Sequence, residues 1–153
     1  MAQGEIALGT GYYWEDLAVG QRFRTYRRTI TEADLIGFIG VTGQTEVIFV
    51  DTTHGGAIDG RPVPGSLTYS MIEGMLFQTM LQRTGLAFLE LHQKVHAPVR
   101  VGDTVEAVVE ILELRPTSKS GRCVVTSQVS VFNQNGALVL DYQIKRLLAG
   151  RPR

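Results

Sequence analysis

Residues 66–83 read SLTYSMIEGMLFQTMLQR, with apolar side chains at Leu67, Met71, Ile72, Met75, Leu76, Phe77, Met80 and Leu81. That is a broad stripe at the 3.6-residue period of an α-helix, too wide for a helix resting on a wet surface and suited to one that is mostly buried. The spacing predicts a helix from Ser66 to Arg83, stopped by Gly85. A buried helix needs a layer to cover it, and the downstream sequence supplies one. Four runs alternate with period two: LAFLELHQKVHAPV (86–99), DTVEAVVEILEL (103–114), RCVVTSQVSVF (122–132) and LVLDYQIKRLL (138–148). Turn-forming stretches at 100–103, 116–121 and 133–136 separate them, which predicts four antiparallel strands in succession.

Upstream, the Gly20-Gln21 pair introduces a strand expected from Gln21 to Thr29, with Phe23 alternating against Arg22 and Arg24. Thr31-Glu32-Ala33-Asp34 places a hydroxyl at a helix cap and a carboxylate three residues on, ahead of Leu35, Ile36, Phe38 and Ile39, so a short helix is expected to end near Gly40 or Gly43. Residues 44–64 hold the turn-rich GGAIDGRPVPG and a short β-rich run from Val47 to Val50, and read as a functional loop region with little regular structure. One central apolar helix followed by a curved antiparallel sheet long enough to wrap it is an α+β architecture with the layout of the hot-dog fold.

The chain has 153 residues, enough for one domain spanning 1–153 with a sizeable core. It is 44% hydrophobic and 20% charged, a composition that argues against disorder. Lys plus Arg is 15 and Asp plus Glu is 15, so no net field draws the chain to nucleic acid or to an anionic membrane. No apolar run approaches about 18 residues, and MAQGEIALGTGYYWEDL lacks a basic region followed by an apolar one, so the protein is read as cytoplasmic, without membrane or nucleic-acid partners. The single cysteine, Cys123, fits a reducing compartment and reads as core filler. His92 and His96, expected on one face of the first long strand, lack a third ligand, so no metal site is expected.

Three segments, TITEADLIGFIGVTG (29–43), GRPVPGSLTYSMIEGML (60–76) and HAPVRVGDTVEAVVEIL (96–112), resemble in order and spacing the MaoC-like acyl dehydratase family, also called R-specific enoyl-CoA hydratases. The resemblance implies a lyase with an acyl-thioester pocket at or near the subunit interface of a hot-dog homodimer. It implies no cofactor beyond the coenzyme A of the substrate itself. In that family a GDxNPxH run after the short helix supplies an Asp and a His that activate water. The matching stretch here is GQTEVIF, residues 43–49, in which Gln44 stands at the Asp position and Phe49 at the His position. Neither an amide nor a phenyl ring can transfer a proton near neutral pH. The family's histidine before the helix glycine is replaced by Pro64, while the glycine is kept as Gly65.

The resemblance puts Gly65, and with it Ser66, Gln44 and Phe49, at the substrate. Amides at the start of a helix are suited to polarising a thioester carbonyl. Candidates to replace the lost dyad are Glu46, two positions from Gln44, and His54, in DTTHGGAID. Glu73 stands out because a carboxylate inside an apolar helix is costly unless it is paired, protonated or facing a cavity. Its interval of eight residues from Gly65 is similar to that in hot-dog thioesterases. Eight helical residues span about 12 Å, so such a pair would have to be drawn from two subunits. Arg61 and the cluster Arg22, Arg24, Arg27 and Arg28 are candidates for the phosphates of coenzyme A. Three functions stay open: a divergent hydratase, a thioesterase using Glu73 and Gly65, and a non-catalytic acyl-binding subunit. The depth of an acyl pocket would depend on how Met71, Met75, Phe77 and Phe88 pack.

Overall fold

Thr31 and Asp34 close a capping box. The Asp34 amide donates to the Thr31 hydroxyl (3.2 Å) and the Thr31 amide donates to the Asp34 carboxylate (2.8 Å), so two unpaired donors at the helix entry are satisfied reciprocally. In the computed structural model, which describes residues 8–119 and 121–152, the helix this box starts is α1, Glu32–Thr42. Gly43 ends it with φ of 74°, a left-handed conformation that glycine adopts without strain. The β-rich run that follows is not extended. Val47–Val50 forms a single helical turn, α2, entered at Glu46, whose carboxylate accepts the Val47 amide at 3.0 Å.

The central helix, α3, covers Gly65–Gln78 and is shorter than its apolar period predicts. Thr79 turns its hydroxyl back to the Met75 carbonyl (2.8 Å), and the Leu81 amide reaches five residues back to Leu76 (3.0 Å). Beyond the helix, the carbonyls of Met80 and Gln82 accept the amides of Tyr12 and Gly11 from an N-terminal strap. A methyl group on Gly11 would lie 2.2 Å from the Met80 carbonyl oxygen, so only glycine lets the strap come this close. Gly85 does not stop the helix; it opens the first long strand.

The strands are β1 (Arg22–Arg24), β2 (Arg28–Thr29), β3 (Gly85–Val95), β4 (Thr104–Pro116), β5 (Arg122–Phe132) and β6 (Leu138–Ala149). The expected strand from Gln21 to Thr29 is thus broken in two. Thr25 pairs with Ala107 through its amide and also through its hydroxyl, which takes the Ala107 amide at 2.9 Å in place of a ladder carbonyl. The sheet order is β1-β4-β5-β6-β3, with β2 also on β4, and the pairings are antiparallel. Bulges interrupt β3 and β4, where an extra residue raises the local twist and bends the sheet. Its concave face covers Leu67, Ile72, Met75 and Leu76 of α3 with Val109, Ile111, Val129 and Ile144. The architecture is the α+β hot-dog expected from the sequence.

β3 is the exception to the alternating burial. It closes one edge of the sheet and is exposed on both faces, with Phe88 57% and Val95 60% exposed. His92 lies on it beside Glu90 (3.0 Å), but His96 falls beyond its end and pairs with Asp141 (3.0 Å), so the two histidines do not share a strand face. Cys123 is fully buried, and burial pushes its thiol up. Among the described residues no helix is long and apolar enough to cross a membrane.

Candidate functional site

Pro64 enters α3 without any side-chain cap. Among the described residues the amides of Gly65 and Ser66, in the first helical turn, meet no acceptor, and they carry the positive end of the helix dipole. At Gly65 opens a cavity of about 210 Å³, walled by Ile48, Phe49, Pro62, Val95, Ala97 and Leu140 among others. Gly65 itself forms part of the wall, where a methyl group would come within 3.3 Å of Val95 Cγ2. Among the described residues no carboxylate, imidazole or cationic side chain lines the cavity. Such a space offers a polarising end and an apolar body, but no group that moves a proton.

The loop after α1 folds over this entry. The Ser66 hydroxyl donates to the Gln44 side-chain oxygen (3.3 Å), and α2 turns Phe49 into the cavity wall. Arg61 ties the pieces together, donating to Glu32 of α1 (2.9 Å) and to the Phe49 carbonyl (3.4 Å), while its Nε is buried without a partner. Gly65, Ser66, Gln44, Phe49 and Arg61 therefore come together at one place. Glu46 is exposed, occupied at the start of α2, and lines no described cavity. His54 lies with Asp51 on a second cavity of about 140 Å³ that shares Ile48, Ile58 and Pro62 with the first. Hydrogen bonds from the Thr53 side chain and amide hold the Asp51 carboxyl below its ordinary value.

A profile of the MaoC like domain matches residues 16–133. The chain belongs to the MaoC-like domain family. It is 32% identical to a 3-hydroxybutyryl-CoA dehydratase of Methylorubrum extorquens over 120 residues, 76% of this chain and 74% of that protein. It is also 30% identical to an (R)-specific enoyl-CoA hydratase of Rhodospirillum rubrum over 134 residues, 84% and 92% of the two chains. The crystal structure of a MaoC-like dehydratase from Rhodospirillum rubrum superposes with a TM-score of 0.83 at 25% identity, over 94% of this chain and 100% of that one.

At the positions where the sequence resemblance expects a helix-entry glycine and a proton-transfer pair, this chain has Gly65, Gln44 and Phe49. Glu73, the carboxylate inside α3, is buried and completely engaged within its own chain. Arg146 of β6 donates to both its oxygens (2.6 and 2.7 Å) and the Tyr142 hydroxyl donates a third bond (2.6 Å). Burial together with the Glu73 charge pushes the Tyr142 phenol far up, and Tyr69, edge-on to its ring at 5.1 Å, is raised for the same reasons. Of the three routes open to a carboxylate in an apolar helix, this one takes pairing.

The arginines of β1, β2 and their connection also have partners. Arg22 meets Glu110 (3.8 Å), Arg24 and Arg27 meet Glu106 (3.0 and 3.9 Å), and Arg28 meets Asp34 (2.9 Å). Met71 and Met75 belong to the core, whereas Phe77 and Phe88 flank a separate cavity beside Arg146, so none of the four lines the α3-entry cavity. Two features of the site escape sequence reasoning: Thr68 on the cavity wall and the Arg146–Tyr142 clamp on Glu73. Thr68 carries the signal of lying one turn after Gly65; the clamp carries none within its own segment.

Proposed function

We propose that this MaoC-like domain binds an acyl thioester of coenzyme A, with the thioester carbonyl at the amides of Gly65 and Ser66 and the acyl chain in the adjoining apolar cavity. The observation that carries this reading is the uncapped entry of α3 opening onto that cavity. The volume, about 210 Å³, is below the roughly 300–1,000 Å³ of sites for drug-sized ligands and suits a short acyl chain. The bound thioester is held without being hydrated, because among the described residues no proton-transfer group lines the wall. The exposed β3 edge serves a homodimer, placing the entry, which touches β3 at Val95, near a second copy.

A second reading, hydration by a relocated base, draws on His54 and Asp51 in the cavity next door. The thioesterase reading gains no such support, because every oxygen of Glu73 is already bonded. The test uses purified protein with butyryl-CoA and crotonyl-CoA, following melting temperature, loss of the conjugated double bond and release of free thiol together. Both ligands are expected to raise the melting temperature, by mass action, with silence in the two chemical channels. Double-bond loss abolished by H54A would establish the relocated hydratase instead, and thiol release would revive hydrolysis.

A further inference from the structure

Among the described residues, Ile48, Ile58 and Pro62 belong to the walls of both the α3-entry cavity and the cavity of about 140 Å³ beside it. The two spaces are therefore neighbours divided by one layer of side chains, and their linings differ. The first is apolar, whereas the second carries Asp51 and His54 and, among the described residues, no lysine or arginine. Arg100, beside Gly60, gives its Nε to the Asp59 carbonyl (2.5 Å) and is not part of that wall. The bonds that the Asp51 carboxylate accepts from the Thr53 amide (2.8 Å) and hydroxyl (2.7 Å) both go to Oδ1, and Oδ2 meets no donor among the described residues. Those bonds hold the carboxyl below its ordinary value, so it is ionised near neutral pH. A methyl group on Gly56 would rest 3.8 Å from both Ile48 Cγ2 and His54 Cδ2, so the glycine keeps open the space between the dividing layer and the imidazole.

We infer that this second cavity receives the far end of the acyl chain and selects chains that end in an ammonium group, held by Asp51 Oδ2 and a ring nitrogen of His54. This rests on the acyl-thioester reading of the first cavity. A chain that starts at Gly65 fills the apolar space, meets Ile48 and Ile58, and continues past them into the second cavity. Each cavity alone falls short of the roughly 300 Å³ at which ligand sites begin, and joined they reach it. A carboxylate with no lysine or arginine in its own wall attracts a cationic chain end and repels an anionic one. An ammonium brings three N–H donors to the two acceptors waiting there. Asp51 and His54 are both exposed, so the charged end keeps contact with water while only the methylene segment is desolvated.

The experiment is calorimetric titration of hexanoyl-CoA, 6-aminohexanoyl-CoA and adipoyl-CoA, of their eight-carbon counterparts and of butyryl-CoA into the wild-type chain, D51N and G56A. At one of the two lengths the wild type is expected to bind the amino ligand about fivefold more tightly than the unsubstituted one, the upper range for an ion pair open to solvent, and the dicarboxylic ligand more weakly than either. D51N loses the preference for the amino ligand. G56A, whose added methyl group meets its neighbours at ordinary contact distance, lowers affinity for the longer chains relative to butyryl-CoA. Equal binding of amino and unsubstituted ligands at both lengths, a D51N chain that keeps the preference, or a G56A chain with the wild-type ratio of long to short overturns the inference; butyryl-CoA binding then leaves the acyl-thioester reading standing. A wild-type chain that binds no thioester at all, while melting cooperatively, removes that reading and this inference together.

Discussion

A glycine at the first position of α3 is there for space. A methyl group on Gly65 would press on Val95 Cγ2 at 3.3 Å, a contact the end of β3 would have to relieve by moving. It would also stand where the thioester carbonyl is proposed to arrive. G65A is therefore expected to weaken binding of butyryl-CoA by about tenfold or more, while the better helix former keeps the melting temperature within a few degrees of the wild type. Titration calorimetry beside a thermal melt separates the two effects, and unchanged affinity would mean that the carbonyl is received elsewhere. At this scale part of the site is legible in sequence. Gly65, Ser66, Gln44 and Phe49 are found through the resemblance and do converge. Thr68 is not found, because a period-based reading takes a threonine within an apolar stripe for filler. Its distinguishing feature, a buried hydroxyl without a hydrogen-bond partner, exists only once the entry geometry is known.

Between elements, the strongest polar link is the Glu73–Arg146 pair joining α3 to β6, with both side chains less than a tenth exposed. Removing one charge of a buried pair leaves the other without compensation, at a cost of about 3–5 kcal/mol. E73Q is expected to lower the melting temperature by about 10 °C, since each kcal/mol moves a chain of this size by roughly 2–4 °C. The triple variant E73M/R146M/Y142F removes every polar end of the cluster at once and is expected to recover most of that loss. Thermal and urea melts measure both; an E73Q chain within 2 °C of the wild type would show that the pair does not lock helix to sheet. The sequence signals that Glu73 needs a partner, because of the apolar run around it, yet the partner lies 73 residues away on the last strand and no local spacing points to it. Three elements depart from their sequence expectation, each where a side chain or a tertiary contact meets the backbone. α3 ends early where the Thr79 hydroxyl and the Leu81 amide bond back to the carbonyls of Met75 and Leu76, the strand expected from Gln21 to Thr29 breaks at Thr25, whose hydroxyl replaces a ladder carbonyl, and Val47–Val50 coils with the Glu46 carboxylate on its first amide, a side-chain effect that outweighs β propensity over four residues. The four long strands and α1 are found because their periods and caps are local, although the first strand ends at Val95, short of the expected Val99, and is exposed on both faces.

For the whole molecule, balanced charge and a filled core leave one surface without an evident purpose in a monomer. β3 is an eleven-residue sheet edge with no proline, and it exposes Leu86, Phe88 and Leu89. Long unprotected edges of this kind invite another strand, and proteins that stay monomeric usually shorten, charge or cover them. Antiparallel pairing of two β3 strands about a two-fold axis satisfies both edges with the same surface patch. Because the far end of β3 reaches the α3 entry at Val95, assembly and ligand affinity are then coupled. The wild-type chain is expected to sediment with the mass of two chains. F88K/L89K, which brings like charges together across the axis and touches no wall of the α3-entry cavity, is expected to sediment as one chain and to bind butyryl-CoA more weakly. A variant that becomes monomeric but binds with wild-type affinity would show a site complete within a single chain. A wild-type chain that sediments as a monomer at the concentrations of the binding assay would remove the dimer, and leave the apolar edge to be covered by a different partner.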